Sequence, residues 1–167
     1  MSKFLSGLVL SVAVLAPTFA VAQDVKIGFV NTQRILRDSK FATDSQAKLE
    51  QSFAGRQKEL TDLAAKVRSE AVKLDKDAIT LSDSEKVTRQ RQLAEMDRDF
   101  QRKRREFDED LAQKKNQLVG ELVERANKVI RQIAEKENYD LIFQDAVYAN
   151  PRIDITDKVL RNLDAVK

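Results

Sequence analysis

Thr80-Leu81-Ser82-Asp83-Ser84-Glu85 breaks a charged, proline-free stretch that runs from about Ala42 to Glu137. Up to and including its Leu81, apolar residues recur at helical spacings at Leu49, Phe53, Leu60, Leu63, Val67, Leu74 and Leu81. After it they resume at Leu93, Phe100, Phe107, Leu111, Leu118, Leu122, Val129 and Ile133. The stripe is narrow and its surroundings are charged, which is the pattern of a coiled coil rather than of a globular helix. Ser82 followed three residues later by Glu85 is a capping-box spacing, in which two side chains satisfy free N–H groups at a helix start. Two helices joined by a tight turn and folded antiparallel are therefore expected. At 1.5 Å per residue the arm would be roughly 55–80 Å long.

Outward from this arm, the N-terminus reads as a leader. Lys3 is followed by an almost wholly apolar run from Phe4 to Ala16, Pro17 breaks it, and Ala20-Val21-Ala22 offers a small-x-small cleavage pattern. A secretory signal peptide over residues 1–22, cut between Ala22 and Gln23, is the expectation. The apolar run is shorter than the ~20 residues a membrane span needs. Lys3 is the one charged side chain in the leader, so its removal takes the formal charge from +3 to +2. Charged residues make up 34% of the chain, yet the signs nearly cancel, and there is no cysteine, histidine or tryptophan. An exported chain of this kind has no disulfide to hold it. It also lacks the commonest zinc ligands, the usual triad base and the thiol nucleophile. No catalytic, metal or cofactor residue is indicated.

The two ends carry the remaining structure. Val25, Ile27 and Phe29 alternate with Lys26 and Gly28, a short strand with one apolar face. Asn31 or Thr32 is placed to cap a short helix over Gln33 to Lys40, with Ile35 and Leu36 inward. After the arm, Tyr139 to Asp145 reads as a second strand and Ala146 to Ala149 as a third, stopped by Asn150-Pro151. Thr156 is a good N-cap, and Val159, Leu160 and Leu163 form the apolar side of a terminal helix. The expected organisation is a head of residues 23–41 and 138–167 and an arm of residues 42–137 with its tip near 80–85. The fold class is α+β, a small sheet or barrel head with a long helical-hairpin arm. A head of about 50 residues is marginal as a single core and leaves sheet edges bare. Both problems ease if subunits share it, so an obligate homo-oligomer is expected. Val25, Ile27, Phe29, Leu141, Phe143, Val147, Val159 and Leu160 are the residues assigned to the shared head.

The start Val25-Lys26-Ile27-Gly28-Phe29-Val30-Asn31 resembles the Skp/OmpH family of periplasmic chaperones. So does the end, from Tyr139-Asp140-Leu141-Ile142-Phe143 through Ala146-Val147-Tyr148-Ala149 to Asp154-Ile155-Thr156-Asp157-Lys158-Val159-Leu160. The resemblance implies a trimer with a β-barrel body and three arms around a cavity. It further implies an ATP-independent holdase that keeps unfolded outer-membrane β-barrel proteins soluble in the periplasm. Some members are thought to touch lipopolysaccharide through basic arm residues, and on charge alone Arg104, Arg105, Lys114 and Lys115 are the candidates here. The near-neutral charge of residues 23–167 departs from the markedly basic family pattern.

Competing readings fare less well. Arg102-Lys103-Arg104-Arg105 invites nucleic acid, but Glu106 and Asp108-Glu109-Asp110 cancel the field, and pairs such as Arg102–Glu106 and Arg105–Glu109 make it a solvated face. No Gly-x-x-x-x-Gly-Lys-Ser/Thr phosphate loop is present. The stripe is too narrow for a membrane-surface helix. A coiled-coil spacer or adaptor in the cell envelope is the alternative.

Overall fold

In the computed structural model, which describes residues 25–144 and 146–165, a helical hairpin rises from a small α+β head. The leader assigned to residues 1–22 lies outside the described residues. Strand β1 (Ile27–Phe29) leads into helix α1 (Thr32–Asp38), then α2 (Lys40–Asp77) and α3 (Asp83–Glu137). Strand β2 (Leu141–Phe143), a 3-10 turn (Pro151–Ile153) and helix α4 (Thr156–Ala165) follow.

Each helix begins where a side chain accepts from a free N–H group. Asn31 caps α1 by accepting from the Arg34 N–H at 3.0 Å. Fully buried Ser39 ends α1 and starts α2, its hydroxyl accepting from the Ala42 N–H at 3.2 Å. The Asp164 carboxylate accepts from the Lys40 N–H at 2.9 Å, so α4 is tied to the root of α2. At the far end the capping box forms in full. The Ser82 hydroxyl accepts from the Glu85 N–H, and the Glu85 carboxylate accepts from the Ser82 N–H at 2.9 Å. The Ser82 hydroxyl, which also donates to the Glu85 carboxylate, and then the Ser82 N–H hold that carboxyl below its ordinary range. α3 ends at Asn138, whose left-handed backbone (φ 54°) turns the chain into β2.

α2 and α3 run antiparallel, as the pairs Arg56–Asp110 and Asp77–Arg89 require. From 38 and 55 residues they extend about 57 and 82 Å. The core sits at the bottom of this hairpin. Val30, Ile35, Leu122, Val129, Ile133, Ile155, Val159 and Leu163 pack there, with Tyr139 and Ile142 against them.

β1 and β2 pair in parallel, Ile27 opposite Leu141, Gly28 opposite Ile142 and Phe29 opposite Phe143. A parallel pair needs a long crossover, and here the crossover is the whole hairpin. The second strand is shorter than expected. The third does not form: residues 146–149 make no strand, and the outer edge of β1 is met by an isolated bridge from Phe29 to Asp154 instead. The Ile155 N–H donates to the Phe29 carbonyl at 2.9 Å, and the Asn31 N–H donates to the Thr156 hydroxyl at 2.9 Å. Asn150 caps the 3-10 turn that starts at Pro151, and the chain after that turn takes the edge of β1.

Candidate functional site

Two surfaces stand out, and both are apolar where a finished protein would be covered. The first is the outer face of the sheet. With a side-chain period of two, Gly28 and Ile142 face inward, and Ile27, Phe29, Leu141 and Phe143 face outward together. A Cβ on Gly28 would lie 3.2–3.3 Å from Tyr139, Ile142 and Ile155, so a side chain there would press on neighbours that must shift to admit it. On the outward side Leu141 and Phe143 are 48% and 46% exposed, and Val25 beside them is 66% exposed. Val147 and Tyr148 extend the apolar surface beyond β2 and are open to solvent. Among the described residues β2 pairs with β1 alone, so its other edge is free.

The eight residues assigned to a shared head therefore separate. Val25, Ile27, Leu141, Phe143 and Val147 are exposed, and Phe29 is half-buried. Val159 is fully buried in the chain's own core, and Leu160 packs against that core. The period of α4 signals an apolar side but not which partner covers it.

The second surface is the arm. Near its root the seam is closed by Leu49, Leu60 and Phe107. Phe53 and Phe107 meet edge to face with centroids 5.5 Å apart, and the Arg56 guanidinium stands over both rings while pairing with Asp110 at 2.7 Å. Beyond this node no side chain from Thr61 to Glu106 is fully buried. Leu63, Val67, Leu74, Leu93, Met96 and Phe100 are only half-covered, and Val72 and Val87 are exposed. At the tip Ile79 is 94% exposed.

The basic candidates do not form one patch. Lys114 and Lys115 lie ten residues from Arg104 and Arg105, about 15 Å along α3. Arg104 approaches Asp108 at 3.8 Å, and the Lys114 ammonium donates to the Gln117 side chain at 3.0 Å. Arg102 pairs with Asp99 and, at 2.9 Å, with Glu106. The expected Arg102–Glu106 pair is thus present, whereas the pairing next to it joins Arg104 to Asp108 and not Arg105 to Glu109. Lys115 lies instead on the wall of an open groove at the root of the arm.

One further cluster was not anticipated from spacing, because Lys26 lies more than a hundred residues before the Glu137, Tyr139 and Lys158 it joins. The Lys158 ammonium donates to both Glu137 oxygens at 2.8 and 2.7 Å, and the Lys26 ammonium sits 4.2 Å from the Tyr139 ring centre. The Lys26 ammonium also donates to the Glu137 carbonyl at 2.6 Å. Hydrogen bonding to Lys158 holds the Glu137 carboxyl below the usual carboxylate range, and the same bond raises Lys158. These contacts staple the first strand to the end of α3 and to α4. Among the described residues there is no cluster of three or more potential metal ligands, and no helix is long and apolar enough to cross a membrane.

No curated protein matches this chain. Among solved structures, the fold is similar to that of an OmpH-like protein from Caulobacter crescentus CB15, classed as a candidate outer membrane chaperone. The likeness covers 84% of this chain and 85% of the other, with a TM-score of 0.73 at 21% identity. At that identity it establishes the shared architecture of head and hairpin. The OmpH-like outer membrane protein family itself matches residues 26–163, which takes in both strands, the entire hairpin and α4 as far as Leu163, and the chain belongs to that family.

Proposed function

We propose that this protein is a periplasmic, ATP-independent holdase that keeps unfolded outer-membrane β-barrel proteins from aggregating. The observation that carries the proposal is the unclosed seam of the arm from Thr61 to Glu106. An unfolded barrel protein alternates apolar and polar residues and cannot hide its apolar half in water. A row of half-covered Leu, Val, Met and Phe side chains set among balanced charges offers it many weak contacts. Their sum is strong through multivalency, while each contact is easily exchanged. The aliphatic stems of arm Lys and Arg residues widen the apolar surface, and their heads keep it wet.

The outer face of the sheet supplies the second half of the proposal. Val25, Ile27, Leu141, Phe143 and Val147 are the surface through which several copies, three by family resemblance, share one head and bring their arms around a common space. Residues 23–41 and 138–167 act as that head, and residues 42–137 as the arm. Family membership supports both parts. Contact with lipopolysaccharide is the weakest part, because Arg104, Arg105, Lys114 and Lys115 are dispersed along α3 and partly paired.

The test is light scattering after dilution of a urea-unfolded outer-membrane barrel protein into nucleotide-free buffer containing the protein without residues 1–22. Suppression at about one oligomer per client supports the proposal. Equal aggregation with and without the protein, across a range of salt, defeats it. A spacer or adaptor role is the second reading, favoured by Ile79 standing alone at the tip. Deleting residues 70–95 separates the two. A spacer loses its partner outright, whereas a holdase loses large clients first.

A further inference from the structure

A groove of about 320 Å³ opens at the root of the arm. Its walls are Phe41 and Leu49 from α2, Leu118, Val119 and Leu122 from α3, and Leu36 from α1. Lys115 is the single charged residue on its lining, and no carboxylate lines it. Lys115 makes no ion pair among the described residues. The smaller openings farther along the arm are different. One is walled by Arg56, Glu59, Lys103 and Glu106, with as many carboxylates as cations, and another by Lys66, Glu70 and Arg89, where a carboxylate stands among the cations.

We infer that this groove is a seat for an extended, acidic segment of the unfolded client, with an apolar side chain between Leu49 and Leu118 and a neighbouring carboxylate on Lys115. This rests on the holdase reading and gives it a defined contact. In an extended chain successive side chains point to opposite sides at about 3.3 Å per residue. With an apolar residue turned into the groove, its acidic neighbours lie at the rim, where the exposed Lys115 can reach them on its flexible four-carbon stem. An exposed lysine–carboxylate pair contributes at most about 1 kcal/mol, or roughly a fivefold preference for acidic over basic flanks.

The absence of cysteine makes a direct test simple. A Gln46→Cys variant carries one environment-sensitive dye at the exposed rim of the groove. It is titrated with an alternating Phe–Asp peptide, an alternating Phe–Lys peptide and a lysophospholipid. The expected result is a blue shift with Phe–Asp, about threefold to fivefold tighter at low salt than with Phe–Lys, and a reversal of that order when Lys115→Glu is added. Equal or tighter binding of Phe–Lys overturns the inference. So does a shift produced by the lipid alone, or a dye that is covered before any addition and uncovered on dilution, which would place a second copy in the groove. Val119→Glu, at a half-exposed position, is the companion variant. If it lowers peptide binding while the melting curve is unchanged, the seat is supported. If dye and peptides never interact while the protein still suppresses client aggregation, the seat fails and the holdase reading survives.

Discussion

The head and the distal arm are built from the same kinds of residue and reach opposite outcomes. In the head, Val30 and Val159 are fully buried and Ile35 nearly so. Core side chains converge from the end of β1, at Val30, and from α1, α3 and α4, so each meets neighbours on several sides. In the arm beyond Leu60 and Phe107, a side chain meets only one partner helix, and water reaches its other flank. Two helices alone cannot close a core. The contrast shows how one chain combines a head that holds its shape with an arm that keeps apolar surface available.

The comparison breaks most readily under truncation. Ile35→Ala should destabilise the protein by about 2–5 kcal/mol, because it removes transfer energy and leaves a cavity. Leu93→Ala, at a half-covered site, should destabilise by about 1 kcal/mol or less. Urea unfolding of both variants checks the pair, and similar losses would mean that the distal seam closes in solution. Next in size is Gly28→Ala, expected at about 1–3 kcal/mol by overpacking, since its new methyl would press on Tyr139, Ile142 and Ile155. Gly55→Ala, with open space around it, should instead be neutral or slightly stabilising in the same assay.

Ser82→Ala should remove about 1 kcal/mol of helix capping. Its effect belongs to the arm alone, so hydrogen exchange should quicken near residues 83–90 and stay unchanged at Val30 and Val159. The smallest effect is the pH dependence of the Glu137–Lys158 staple. Glu137 is held below its ordinary value, so its contribution is complete above the ordinary carboxylate range and is lost as pH falls through the lowered value. Lys158 is raised, so its share is complete below the ordinary lysine value and disappears only as pH rises through the raised one. Lys158→Met should therefore give a shallower fall of melting temperature on acidification than the unaltered protein. Some slope should remain, because Lys26 stays 3.8 Å from Glu137.

Much of this was legible in the residues. The 3- and 4-residue spacing of Leu and Phe announced the hairpin, Ser82 and Glu85 marked its turn, and Asn31 and Asn138 mark helix ends through local hydrogen bonding and a left-handed backbone. The alternation around Gly28 announced a strand with one apolar face. It did not say that the apolar face would point outward, with Gly28 and then Val30 taken into the core. A third strand over residues 146–149 also looked reasonable from its apolar residues. Tertiary hydrogen bonding gave the edge of β1 to Asp154 and Ile155 instead.

The sequence by itself determined the local and periodic features: the length of the arm, the place of its turn, the caps, and the absence of thiols and imidazoles. Each depends on residues within a few positions of one another, where backbone geometry leaves little choice. Only the tertiary structure decided which apolar residues are covered. It buried Val159 within its own chain and left Leu141 and Phe143 bare, and it opened a groove around Lys115. Burial depends on what arrives from distant parts of the chain, and a hydrophobic side chain carries no record of which neighbour that will be.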